Sequence, residues 1–292
     1  MDNTFITVTW NNEKQITKLI DSIKKYEPES QIIVVDNHST DNTLAALKKY
    51  QLTSLHIIAL PTNVGFAKAN NIAARQVTTK FVTFINPDTI LNQSLINNLE
   101  QKMINEIGMI GVKIMNADGS LQPSIYKFQR PLTIYVEQFN IGSVLPEKLK
   151  ERVSPENSQH NRLQYVDWLI GAFMFTKTEY YRSVGGFSED YFLYSEDMDL
   201  CYKYHLKGLK ILFEPDMKIT HIGGTSESQT NTGKNIKLLT SFCIFAKKFG
   251  LEKNINALYH SYWLKEKIFR HLDSKRARKY KENVKFLKGK LS

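Results

Sequence analysis

The chain has 292 residues, 42% hydrophobic and 23% charged, a composition that excludes a disordered or collagen-like chain and is enough to bury a core. Its two cysteines, Cys201 and Cys243, lie far apart, which excludes a disulfide framework and a cysteine-rich metal site and fits a reduced, cytoplasmic compartment. The formal net charge of +10 is concentrated: residues 247–292 hold 14 Lys and Arg against 4 Asp and Glu, and the rest holds 25 of each, so a neutral body carries a basic tail.

The start, MDNTFITVTW, has no basic segment and no long apolar run, so no signal peptide is expected. No apolar stretch reaches the roughly 18 residues that would point to a membrane span. Phe5–Thr9 reads as a strand. Ile16, Leu19, Ile20 and Ile23 then recur at helical spacing. Ile32–Val35 is a short continuous apolar run, as in a buried parallel strand. Ser39, Thr40 and Asp41 offer cap chemistry before a helix through Leu44 and Leu47. Leu55–Leu60 predicts a third strand, Phe66–Val77 a helix, Phe81–Ile85 a fourth strand, Leu95, Leu99 and Met103 a further helix, and Met109–Ile114 a fifth strand.

Strand and helix alternate with short connections, which predicts an α/β fold with a mostly parallel sheet flanked by helices. Ligands of such sheets bind beyond the carboxyl ends of the strands, so the informative loops follow Thr9, Val35, Leu60 and Ile85. Residues 120–163, with Pro123, Pro131, Pro146 and Pro155, read as an irregular connection, a lid or acceptor-side loop. Regular structure returns at Val166–Thr176, turns at Gly185-Gly186, continues as a helix from Glu196 to Lys207 and as strands at Lys210–Phe213 and Lys218–His221, and is mostly helical from Lys234. The expected division is a main domain over 1–233, in two halves that meet at 119–120, and a basic helical extension over 234–292.

Taken singly, the polar motifs are ambiguous. Asp36 follows a buried strand, where a carboxylate can accept the N3–H of uracil or thymine, or can simply cap the next helix. Asn63-Val-Gly-Phe-Ala-Lys-Ala-Asn-Asn71 is a glycine-pivoted helix entry aimed at the same end of the sheet, or an ordinary turn. Asn86-Pro87-Asp88 follows another apolar strand, where a carboxylate can hold Mg²⁺ or Mn²⁺, although all three are turn residues. Glu196, Asp197 and Asp199 fall within four positions beside aromatics, which favours raised pKa values and a general base. The helix dipole alone explains one such acid in a first turn. His221 ends a strand before Gly223-Gly224; a lone histidine is more often structural than a ligand.

In order along residues 4–225 these segments read VTWN, VVDNHSTDNT, NVGFAKANN, FINPD, DWLIGAFMFTKTEYYRSVGGFSEDYFLYSEDMDLCYK and EP followed by ITHIGGTS. Together they resemble the family 2 glycosyltransferases, and within them the bacterial rhamnosyltransferase-like branch. The resemblance implies a GT-A fold and an inverting transfer, with 1–233 as the catalytic domain, its nucleotide-sugar half to about 119 and its acceptor half from about 120. It implies that Asp36 contacts the base, with Thr9, Asn11, Asn63, Lys68 and Asn86 around the nucleotide. It places a divalent metal, Mg²⁺ or Mn²⁺, on Asp88 with His221 as a further ligand. It makes Asp197 the catalytic base with Glu196 beside it, and puts Trp168, Gly171 and Ala172 on the donor–acceptor floor. The family's metal motif is usually Asp-x-Asp; here its first position is Asn86, which adds no charge, so the metal leans on Asp88 and His221.

The expected partners are a dTDP- or UDP-linked sugar, with dTDP-rhamnose first and a UDP-hexose second, and a saccharide acceptor in cell-surface polysaccharide synthesis, free or lipid-linked. Two other classes compete: a non-catalytic nucleotide-sugar-binding protein, against which Asp88 and Glu196-Asp197 argue, and a nucleic-acid-binding protein, against which the neutral body argues. In the tail, Leu264, Ile268 and Leu272 make an apolar stripe near Trp263 and Phe269, among Lys265, Lys267, Arg270, Lys275, Arg276, Arg278 and Lys279. This pattern fits docking on an anionic membrane, peripheral on the inner face of the cell membrane; the competing expectation is packing on the catalytic domain or on a second subunit of a homo-oligomer.

Overall fold

The computed structural model describes residues 2–104, 106–146, 149, 159–223 and 234–291. Pro155, in the irregular connection, and Gly224 and Thr225, in the ITHIGGTS stretch, lie outside the described residues. The chain divides into two compact units, Met1–Ile125 with Gln159–Thr232, and Tyr126–Ser158 with Gly233–Ser292.

In the first unit the continuous apolar runs become strands β1 (Asn3–Thr9), β2 (Gln31–Asp36), β3 (Leu55–Ala59) and β4 (Phe81–Ile85). They pair in parallel in the order β3-β2-β1-β4. Between them run helices α1 (Glu13–Tyr26), α2 (Thr43–Leu47) and α3 (Phe66–Ala74). The helical repeat Ile16, Leu19, Ile20 and Ile23 is the buried face of α1 and shares a core with Phe5, Ile32, Val34 and Phe81. The short strand β5 (Thr89–Leu91) and helix α4 (Ile96–Lys102) follow. The first turn of α4 is capped from a distance: buried Glu27 accepts the backbone N–H of Leu95 and of Ile96, the latter at 3.0 Å.

The sheet continues through β6 (Ile107–Met115), with the short strands β7 (Leu121–Gln122), β8 (Ile125–Tyr126), β9 (Gln164–Val166) and β10 (Trp168–Leu169) nearby in sequence. Next come β11 (Phe173–Lys177), helices α6 (Thr178–Ser183) and α7 (Glu196–Leu206), and β12 (Lys210–His221). The order across the sheet is β3-β2-β1-β4-β11-β6-β12-β5. Strand β11 runs antiparallel to both β4 and β6. An apolar run such as FMFTK is buried equally well in either direction, so its direction is not written in its pattern. The two strands expected at 210–213 and 218–221 are one strand, with a register shift between Glu214 and Lys218. Pro215, which has no N–H, falls in that shift, and Glu214 Oε1 accepts the N–H of Asp216 at 3.0 Å.

The second unit is helical. It contains α5 (Pro131–Gln138), a 3₁₀ turn (Ile141–Val144), α8 (Lys234–Lys248), α9 (Glu252–Phe269) and α10 (Ser274–Leu291). Its core joins Ile134 to Leu239, Cys243, Ala246, Ile255, Leu258 and Leu287. The segment around α5, expected in the acceptor half of the catalytic domain, thus packs with the C-terminal helices, because Ile134 and Tyr135 supply the apolar side chains that their inner faces cover. Both cysteines are buried and unpaired with each other. No described helix is long and apolar enough to cross a membrane.

Candidate active site

Strands β1 and β2 end side by side, with Thr9 opposite Asp36 in the parallel register. Both residues are buried. Asp36 Oδ2 accepts the N–H of Ser39 at 3.3 Å, while Asp36 Oδ1 and Thr9 Oγ1 are buried without a partner. Two orphaned polar atoms at adjacent strand ends are what a ligand with donors and acceptors would satisfy. The rest of the rim is held by its own bonds. Asn11, at a φ of 54°, accepts the Thr40 N–H on Oδ1 at 2.8 Å and donates its N–H to Ser39 Oγ at 2.9 Å. Asn63 Oδ1 accepts from Asn37 Nδ2 and from the Gly65 N–H, each at 3.0 Å. Lys68 is exposed on α3. Gly65 is needed as glycine: its φ is +83°, and a Cβ there would stand 2.8 Å from the Phe192 carbonyl oxygen.

The second part of the site is built by strand pairing. Thr89 of β5 lies opposite His221 of β12, so Asp88 meets the His221 ring. His221 Nε2 stands 3.1 Å from Asp88 Oδ1 and 3.2 Å from Asn86 Nδ2. On its other side Nδ1 is 2.7 Å from Gln122 Oε1. An amide oxygen only accepts, so in this contact Nδ1 donates to Gln122, and Nε2 is the ring atom that faces the carboxylate. A proton or a cation between these two electron-rich atoms relieves that contact, and an imidazole nitrogen with a carboxylate is a donor set suited to Mn²⁺ or Mg²⁺. Among the described residues no cluster of three or more His, Cys, Asp and Glu side chains forms, so Asp88 and His221 are the donors available, with the neutral Asn86 amide next to them.

The third part is the start of α7. Asp199 is fully buried and structurally engaged: Ser188 donates to its Oδ1, Tyr191 donates to its Oδ2 at 2.9 Å, and Lys203 pairs with it at 3.6 Å. Asp197 faces another way. Its Oδ2 accepts the Gly171 N–H at 3.0 Å and its Oδ1 the Met198 N–H at 2.8 Å. Burial lifts its carboxyl above the usual range, and these two backbone hydrogen bonds oppose the rise. Glu196 is buried with Oε2 unpartnered; desolvation first, and then the Asp197 charge, raise its pKa well above that of an ordinary glutamate. Of the three acids in the motif, one is therefore a fastener and two are an electrostatically stressed pair.

These parts are linked. The Asn86 N–H donates to the Ala172 carbonyl at 3.2 Å, and the neighbouring Gly171 holds Asp197, so two hydrogen bonds connect the Asp88 turn to the head of α7. Trp168 is half-buried on β10, which lies against α7. The chain enters α7 through Tyr194 and Ser195, at φ of 74° and 67°. Such angles are costly for residues with a Cβ and recur where a site imposes them.

Several supporting residues have no role that the sequence assigned to them. Gln122 orients His221 from a two-residue strand. Asn37 ties the β2 end to the 63–65 turn. Buried Asn71 donates to the Phe187 carbonyl and to Glu189, and Gly186 packs on it so closely that a Cβ would stand 2.7 Å from its Oδ1. Asn71 lies in the NVGFAKANN segment, yet only its distant partners show what it does.

Residues 4–173 match the family model for glycosyl transferase family 2, and the chain belongs to that family. Within that family it is similar to bacterial rhamnosyltransferases. It is 27% identical over 227 residues to the rhamnosyltransferase WbbL of Escherichia coli, covering 74% of this chain and 81% of that protein. It is 25% identical over 238 residues to the N-acetylglucosaminyl-diphospho-decaprenol L-rhamnosyltransferase of Mycobacterium tuberculosis, covering 74% of each. The fold is similar to that of a mannosyltransferase from Pyrobaculum calidifontis solved with GDP-mannose and Mn²⁺, with a TM-score of 0.60 and 17% identity, over 99% of this chain and 84% of that one. The architecture is GT-A, and the protein is a glycosyltransferase.

Proposed function

We propose that this glycosyltransferase is inverting and metal-dependent and that it moves rhamnose from dTDP-rhamnose onto a saccharide acceptor carried on a lipid, at the cytoplasmic face of the membrane. The reading rests above all on the position of Asp197, a desolvated carboxylate held by Gly171 and joined through Ala172 and Asn86 to the Asp88 turn.

Asp36 accepts the N3–H of thymine on its unpartnered Oδ1, with the Thr9 hydroxyl beside it. Asn11 and Asn63 hold the loops that shape this pocket, Lys68 offers a cation to the diphosphate, and Asn86 borders it. A divalent cation held by Asp88 and His221 would neutralise charge on the nucleoside diphosphate as it leaves. Trp168, Gly171 and Ala172 form the floor under the sugars. Asp197 takes the proton of the acceptor hydroxyl while that oxygen bonds to the anomeric carbon. The bond from the anomeric carbon to the phosphate oxygen breaks, its electron pair leaves with the diphosphate, and the configuration at that carbon inverts. Burial and the Asp197 charge raise the pKa of Glu196, while the backbone hydrogen bonds to Asp197 favour its charged form.

The dTDP-rhamnose donor is supported by the rhamnosyl-transferring relatives, and the lipid carrier by the decaprenyl-linked substrate in the name of the mycobacterial one. A UDP-hexose is the second reading, since uracil presents the same N3–H to Asp36. The test is transfer and donor hydrolysis across dTDP-rhamnose, UDP-N-acetylglucosamine and GDP-mannose, each with Mn²⁺ and with a chelator. Turnover of dTDP-rhamnose that stops on chelation is expected; preference for the GDP sugar overturns the role of Asp36, and full activity with chelator overturns the role of the metal.

A further inference from the structure

The stripe expected in the tail is exposed. Helix α9 turns Ile255, Ala257, Leu258 and Ser261 into the core of the second unit, and leaves Trp263, Leu264 and Ile268 at 42%, 39% and 50% exposure. Leu272, in the turn after α9, is 75% exposed. Phe269, expected alongside them, instead packs on the Tyr280 ring at 5.7 Å. The basic residues also divide. Lys265 is half-buried and donates to Gln138 Oε1 at 2.9 Å, and burial lowers its pKa. Arg270 is bound to Glu266 and Arg276 to Asp273. Lys267 lies over the Trp263 ring at 5.6 Å and 3.9 Å from Glu266 Oε2, with its side chain still exposed, while Lys275, Arg278 and Lys279, at the start of α10, are exposed. An apolar ridge one helical turn in pitch is thus bordered by cations.

We infer that the tip of the α9–α10 hairpin docks on an anionic lipid bilayer, with Trp263, Leu264, Ile268 and Leu272 entering the headgroup–acyl boundary and Lys267, Lys275, Arg278 and Lys279 meeting the lipid phosphates. The surface chemistry selects this occupant. A second copy meeting this face through a two-fold axis would set the same cations against each other. A nucleic acid would use the charges but has no place for three exposed aliphatic side chains. A bilayer with acidic headgroups satisfies both halves of the surface. The inference takes its purpose from the lipid-linked acceptor proposed above, but vesicle binding is measured without any sugar transfer, so either can fail alone.

The full chain is floated with vesicles of phosphatidylcholine, with and without phosphatidylglycerol, at low and high salt. Binding that requires phosphatidylglycerol and weakens with salt is expected. The triple variant Leu264→Ser, Ile268→Ser, Leu272→Ser alters only exposed side chains; it should keep the thermal melt and donor hydrolysis and lose about tenfold or more of the vesicle partition. The pair Lys275→Glu, Lys279→Glu should abolish the preference for phosphatidylglycerol. The inference is overturned if the unaltered chain ignores acidic vesicles at low salt, or if the triple variant binds them undiminished. It is also overturned if the triple variant converts a dimer to a monomer on gel filtration, or releases bound RNA in place of lipid.

Discussion

The carboxylates of this active site come from two kinds of place. Asp36 ends strand β2 and Asp88 stands just past strand β4, at the carboxyl ends of parallel strands. Glu196, Asp197 and Asp199 share a single turn of α7 and would look interchangeable by position. Their partners separate them. Asp199 is saturated by Ser188, Tyr191 and Lys203, Asp197 is held by two backbone N–H groups, and Glu196 has an oxygen with no partner. At the strand ends the placing of an acid follows from position; at the helix start its surroundings follow from how each acid is satisfied, which depends on segments far along the chain.

The sharpest break in that comparison is expected at Asp197. Asp197→Asn should lower the turnover number by ~10²–10⁴ while calorimetry finds donor affinity unchanged. Near-normal turnover would move the base to another acid of the turn. At the strand end the signature should reverse. Asp36→Ala should weaken donor binding about ten- to a hundredfold, the range for a hydrogen bond to a charged group, with saturating turnover close to that of the unaltered protein. A fall in turnover without a change in affinity would place Asp36 outside the base pocket.

Gln122 tests whether the strand-end site depends on distant support as the helix start does. Gln122→Ala should weaken Mn²⁺ binding roughly tenfold or more, read by paramagnetic resonance of the free ion without donor, and Gln122→Glu, which still accepts from Nδ1, should restore it. Equal Mn²⁺ affinity in all three proteins would show that the His221 ring is fixed by other contacts.

The smallest expected effect concerns pH. The raised pKa of Glu196 means that the folded chain holds a proton which the unfolded chain has released. Its contribution to stability is therefore fully present below the ordinary glutamate value and is lost as pH rises toward the folded value. Thermal melts across neutral pH should show a decline with rising pH that Glu196→Gln removes. An unchanged decline in that variant would assign the lost stability to other groups.

Much of the catalytic unit was legible in local pattern. The run at Phe81–Ile85 is continuous and apolar because β4 is covered on both faces, and the spacing of Ile16, Leu19, Ile20 and Ile23 is the inner face of α1. That the acids at 36, 88 and 196–199 lie at strand ends and at a helix start was readable because such ends are recognisable from a few neighbouring residues. The basic, apolar-striped tail was equally visible, although Leu264, Ile268 and Leu272 are exposed while Lys265 is withdrawn among aromatic rings.

Local pattern determined which segments form strands and helices, since hydrophobic spacing and cap chemistry act over a few residues. It could not determine the direction of β11, the joining of 210–221 into one strand, or the packing of α5 with the C-terminal helices, because buried apolar segments are compatible with several neighbours and only mutual packing selects among them. The same holds for the site. That Asp199 is fastened by Ser188 and Tyr191 while Asp197 is held by Gly171, and that Gln122 meets His221 Nδ1, are consequences of hydrogen bonds between residues as many as 99 positions apart. Those bonds exist only when the whole sheet is assembled, so the tertiary structure alone decided them.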